Sequence, residues 1–306
     1  LASTTPSAMP TQRQHIPAHH VIYAFDPTTP PIAHVTPPAD LTVQARDAYD
    51  RGCNDLDIHA YLAQRRPGRM NPTTGPIAIR GAQPGDTLHV HIQAVRLGPR
   101  GYVATTPGTG LLGDHPVPPA IQPFDVQDQT VTVAGVPLPV RPMVGTLGVA
   151  PATGAIEALS LGIHGGNLDF NDITAGTTVH LPVWAPDALF AIGDVHATMG
   201  DGEAHSGVNI DAEIDLHLSL TPAQHLQWPW FETPTQVMTV GVHDDLTQAL
   251  RIAQHAMETR LIDQLDVSAE TARALSGAAM DLRLGQAGGY GVPVSAYATF
   301  PKSALP

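Results

Sequence analysis

Residues 87–93 read Thr-Leu-His-Val-His-Ile-Gln, so an extended chain sets Leu88, Val90 and Ile92 on one side and Thr87, His89, His91 and Gln93 on the other. Pro84-Gly85-Asp86 just before is a turn signal. The same period of two returns at 213–220, where Ile214, Leu216, Leu218 and Leu220 oppose Glu213, Asp215, His217 and Ser219. Shorter apolar runs at 77–80, 130–133 and 177–183, each bounded by Gly or Pro, predict further strands. Helical periodicity comes late. Leu246, Leu250, Met257 and Leu261 predict one face of a helix over 245–265 with Asp244 as candidate cap, and a second helix runs from after Ser268 to near Gly285. Residues 288–300 read as a turn and a strand. The prediction is a mainly β protein: a sandwich- or barrel-like antiparallel body with an α/β C-terminal subdomain. Its expected parts are 1–145, a β-rich 146–227 carrying the chemistry, and 228–306, with Trp228-Pro229-Trp230 at the junction.

Composition fits that picture, since 30 Pro and 28 Gly imply many turns, and the prolines between 27 and 38 suit edges and loops. With 15 Lys+Arg against 28 Asp+Glu, the formal charge of -13 disfavours nucleic acid and anionic membrane surfaces as partners. The lone cysteine, Cys53, stands beside Asn54, Asp55 and Asp57, acidic company that discourages a thiolate and favours a packing role. One cysteine, no apolar run long enough to span a bilayer and no signal pattern make the cytoplasm the expected compartment. A start at Leu1 suggests removal of an upstream segment.

One absence narrows the chemistry. The single lysine is Lys302, near the C-terminus, which disfavours Schiff-base, phosphate-loop, Ser-Ser-Lys and Cys-Glu-Lys mechanisms. No G-x-S-x-G elbow appears, leaving a Ser or Cys hydrolase the weakest alternative. Gly108-Thr-Gly110-Leu-Leu-Gly113 matches a dinucleotide fingerprint but lacks a strand before and a helix after it. His89, His91 and His217, on polar strand faces, read as solvated or hydrogen-bonded.

Two segments concentrate ligand-type side chains among glycines: His164-Gly-Gly-Asn167-Leu-Asp169-Phe-Asn171-Asp172, and Gly193-Asp194-Val-His196-Ala-Thr-Met-Gly-Asp201-Gly-Glu203. Glycine lets such loops fold imidazoles and carboxylates around one point. The same residues equally suit plain turns, with Asp and Asn bonding their own backbone.

The run of motifs from Pro142-Met143-Val144-Gly145 through Gly148-Val149-Ala150-Pro151, His164-Gly165-Gly166-Asn167-Leu168-Asp169 and Gly193-Asp194-Val195-His196-Ala197 to Gly200-Asp201-Gly202-Glu203 resembles the acetamidase/formamidase family. The likeness reaches back through Asn71-Pro72-Thr73-Thr74-Gly75-Pro76, Pro84-Gly85-Asp86 and the Gly108 loop. It implies hydrolysis of short aliphatic amides to carboxylate and ammonia, a β-rich body, a divalent metal and a homo-oligomer, expected as a dimer. The sequence departs from the family at Ala204-His205-Ser206 and Asn209-Ile210-Asp211, which leaves room for a bulkier or more polar amide. On this resemblance His164, Asp169, His196 and Asp47 are the expected ligands of the cation, with Zn²⁺ favoured by mixed nitrogen and oxygen ligation. Glu203 is the expected general acid/base, and Asp194 and Asp201 are expected to orient ligands. The alternative is a β-rich protein whose loops bind a metal or small ligand without reaction.

Overall fold

Two long strands frame the molecule. Thr87–Thr105 and Asn209–Thr221 pair antiparallel from Thr87↔Thr221 to Tyr102↔Asn209. In that register Leu88, Val90 and Ile92 join Ile214, Leu216 and Leu218 in the core, all fully buried. Both strands outrun their predicted cores at 87–93 and 213–220, because register shifts between Ile210 and Ala212 and between Asp215 and Leu216 bend the ladder without ending it.

The structure, a computed structural model, describes residues 13–50, 58–64, 68–115, 117–287 and 291–306; Cys53 and its acidic neighbours lie outside them. The far edge of Asn209–Thr221 pairs with Ala39–Ala45. The far edge of Thr87–Thr105 pairs with Thr178–Pro182, from which Trp230–Glu232, Gln236–His243, Val294–Pro301 and Asp281–Leu284 follow, each antiparallel to the last. The parallel pairings among the described strands are Gln14–Ile16 with Ala39–Ala45 and Ala33–Val35 with Thr73–Ile79. The result is a curled, mostly antiparallel sheet, as the alternating pattern predicts. The strand Met143–Gly148 crosses the expected 145/146 boundary, and Thr178–Pro182 pairs with Trp230–Glu232 across the one at 227/228.

The C-terminal helices differ in detail from their predicted forms. The first is Leu246–Leu265, and its cap is Asp245, which accepts from Gln248 N at 2.9 Å, where Asp244 was expected. Its buried face is Ala249, Ala253, Met257 and Leu261, while Leu246 is exposed. Small residues win that face because the helix lies close on the sheet, with Thr239 Oγ1 donating to Ala253 O at 2.8 Å. The second helix, Ala269–Ala279, is capped by Ser268 and stops well before Gly285, since Asp281–Leu284 instead pairs with Val294–Pro301. Among the described residues no helix is long and apolar enough to cross a membrane.

Candidate active site

The site grows from one three-stranded patch. Met143–Gly148 lies between Gly165–Asn167 and Phe190–His196, and its register sets Thr146 opposite Asn167 on one side and Gly193 on the other. All three strands are buried throughout, so polar side chains here must find partners within the protein. They do. Asn71 Nδ2 donates to Asn167 Oδ1 at 2.7 Å and to Asp194 Oδ2 at 2.8 Å. Thr146 Oγ1 donates to Asn167 Oδ1 at 2.5 Å and approaches Asp194 Oδ2 at 3.1 Å. Asn167 Nδ2 passes the chain on to Asp169 Oδ2, and Gln286 Nε2 reaches both Asp169 Oδ2 at 3.2 Å and Glu203 Oε2 at 3.1 Å.

Three carboxylates thus meet underground. Asp169, Asp194 and Glu203 all adopt left-handed backbone, with φ of 51°, 56° and 36°, a conformation unfavourable for residues with side chains and concentrated at functional sites. Gly145 makes room for two of them: a Cβ there would sit 2.7 Å from Asp194 Oδ2 and crowd Asp169 Oδ1. His196 completes the group, its Nε2 lying 3.8 Å from both Asp194 Oδ1 and Glu203 Oε1 and its Nδ1 3.2 Å from Met143 Sδ.

Electrostatics follow from this crowding. Burial first, then the charges of Glu203 and Asp194, push the Asp169 carboxyl well above its ordinary range. Burial likewise raises Asp194 and Glu203, against the counter-pull of His196 on both. Ionised, Asp169 Oδ1 has no donor; a proton on Asp169 supplies a hydrogen bond to Glu203. Asn71, Asn167, Asp194, His196, Glu203 and Gln286 line a cavity of about 310 Å³, with Thr109 of the Gly108 loop on its wall.

Outside the floor, Arg283 ties the two chemistry-bearing loops together. Its Nε and Nη2 clamp Asp201 at 2.8 Å each, and its Nη1 donates to Asp172, which also accepts from Tyr297 OH at 3.0 Å. Asp201 is therefore a loop anchor at the surface, held further by Asn171 Nδ2 at 2.8 Å, and stands away from the cavity floor.

Two expected ligands lie elsewhere. The buried His164 ring packs edge-on against Phe25 at 5.2 Å, neither nitrogen has a hydrogen-bond partner, and burial alone lowers its pKa to about 4. Asp47 accepts from Tyr102 OH and from Tyr49 N at 2.9 Å, underpinning the wall that Ala48 and Tyr49 give the cavity. Asp169 and His196 are close to the same carboxylates, but among the described residues no three His, Cys, Asp or Glu stand as a ready metal-holding group, so the four expected ligands do not assemble. Thr146 and Gln286 carry no sequence signal that marks them out, and Asn71 is marked only as part of a family-like run with no role attached; each is recruited by a partner distant along the chain.

The family model for acetamidases and formamidases matches residues 9–161 and 155–239. The chain belongs to the acetamidase/formamidase family. An acetamidase of Bacillus halodurans has the same fold, with a TM-score of 0.88 and 31% identity over 95% of this chain and 98% of that one. A putative formamidase of Schizosaccharomyces pombe is 28% identical over 44% of this chain, and an acetamidase of Mycolicibacterium smegmatis 23% identical over 68%. Those two matches span 47% and 66% of the relatives' own lengths. In this acetamidase/formamidase chain Asp194 Oδ1 and Asp169 Oδ1 are buried without a donor, orphaned acceptors of the kind that a cation or a ligand's own N–H or O–H would satisfy. His164, facing Phe25, is no part of that set.

Proposed function

We propose that the protein hydrolyses short linear primary amides to a carboxylate and ammonia. The observation that carries this reading is the buried group of Asp194, Glu203 and His196 lining a cavity, with buried Asp169 tied to Glu203 through Gln286, in a chain of this family. Relatives named formamidase and acetamidase support the class of substrate.

Glu203 is the general acid/base. It takes a proton from the attacking water and returns it to the nitrogen as the C–N bond breaks, so water and amide become carboxylate and ammonia. Burial raises its pKa, which brings it nearer the working range of such a group. Asp194 sits beside His196 and is itself fixed by Asn71 and Thr146. A divalent cation, Zn²⁺ first, belongs to the same proposal: Asp169, Asp194 and His196, which do not stand as a ready metal-holding group, would have to close in to hold it, and when bound it would supply Lewis acidity toward the carbonyl and lower the pKa of a water.

The test is elemental analysis of the purified protein joined to an ammonia-release screen over primary amides, with and without chelator. Ammonia release that chelation abolishes and Zn²⁺ restores is expected. No release from any primary amide overturns the reading, and chelator-resistant release by metal-free protein overturns the cation alone.

A further inference from the structure

We infer that Gln286 selects for amides: its side-chain carbonyl oxygen accepts the N–H of a substrate –CONH₂ group. This rests on the amide-hydrolase reading for its substrate and on geometry for everything else.

Gln286 follows the strand Asp281–Leu284 and is rigidly seated. Its backbone N–H donates to Ser295 Oγ at 2.7 Å, its carbonyl accepts from Ser295 N at 3.0 Å, and it bridges to Gly202 in the Glu203 loop. Both N–H bonds of its side chain are committed, one to Asp169 Oδ2 at 3.2 Å and one to Glu203 Oε2 at 3.1 Å. The proton shared by Asp169 and Glu203 is spent on their mutual hydrogen bond, so a flipped amide would set its oxygen against two acceptor oxygens, and the network assigns the orientation with Nε2 toward them.

That orientation leaves Oε1 buried with no donor, in a side chain 1% exposed that lines the cavity. Buried acceptors are nearly always satisfied, and an exception in a binding cavity marks where a ligand donor belongs. Among the residues described as lining this cavity, the buried side-chain atoms without partners are both acceptors, Gln286 Oε1 and Asp194 Oδ1. The amide donors beside them are spent: Asn71 Nδ2 on Asn167 and Asp194, and Asn167 Nδ2 on Asp169. With those amide donors committed, the two unpartnered acceptors favour a ligand that brings its own N–H. A primary amide does so; an ester or ketone of the same shape does not.

Acetamide and acetone share their heavy-atom shape and differ in the N–H bonds, so their dissociation constants, measured by ligand-observed NMR on the full chain, read the contact directly. The wild type is expected to favour acetamide, and Gln286→Met to reduce that preference roughly tenfold, the value of one hydrogen bond, with acetone binding unchanged. Gln286→Asn, which keeps the amide but withdraws it by one methylene, reads the same ratio should the Met variant not fold. An unchanged ratio in a folded variant, or equal weakening of both ligands, overturns the assignment. Acetamide preference without ammonia release would sink the hydrolase reading while leaving Gln286 in its role.

Discussion

The ring of His196 rests on Gly207: a Cβ at position 207 would lie 2.5 Å from His196 Cδ2 and 2.9 Å from its Cγ. Gly207→Ala must therefore displace the imidazole. Displacements near 1 Å at a reacting centre can cost on the order of a hundredfold in rate. The variant is expected to lose kcat by about that factor while keeping its far-UV circular dichroism, and unchanged turnover would place His196 outside the chemistry.

Glu203→Gln keeps the side chain's size and removes its capacity to carry a proton between water and nitrogen. Loss of a general acid/base costs roughly 10²- to 10⁴-fold in rate. Ammonia release per unit time, with the metal content of each preparation measured alongside, checks this; near-full turnover with metal bound would assign the role elsewhere.

Arg283 joins Asp172, three residues after Asp169, to Asp201, two before Glu203. Arg283→Met leaves two acidic groups facing each other without their shared cation. A cost of about 2 kcal/mol in urea unfolding is expected. A fall in kcat should accompany it, because both loops lose their anchor, and a variant as stable as the parent would show the clamp to be decorative.

His164 has a folded pKa of about 4 against an ordinary 6.5, because burial disfavours its charged form. A lowered folded pKa contributes stability that is complete above pH 6.5 and lost as pH falls toward 4. The span corresponds to about 3 kcal/mol. Urea midpoints at pH 7 and pH 4 should differ less for His164→Leu than for the wild type. Equal differences would mean that the imidazole finds a partner on protonation.

The half-buried strands are legible in the sequence because one face meets water, as at Leu88, Val90 and Ile92 opposite His89 and His91. The strands Met143–Gly148 and Phe190–His196 are buried on both faces, so no alternation announces them. The first helix hides its buried face for a related reason: Ala249 and Ala253 carry little hydrophobic signal, yet close packing selects them over the exposed Leu246. At the site, glycine-rich spacing drew attention to Asp169, Asp194, His196 and Glu203, which the fold gathers. Spacing could not say that His164, at the near end of the same motif, turns toward Phe25. Nor could it find Asn71, whose partners Asn167 and Asp194 lie 96 and 123 residues away and become neighbours only through strand pairing.

The left-handed backbone at Asp169, Asp194 and Glu203 has an evolutionary corollary. At each of these positions glycine would relax the main chain, and each such replacement would also remove a buried carboxyl whose ionised form burial disfavours. A library screened only for heat resistance is expected to admit glycine only where Asn71, Thr146, Asn167 and Gln286 find other acceptors, growing sturdier as it falls silent.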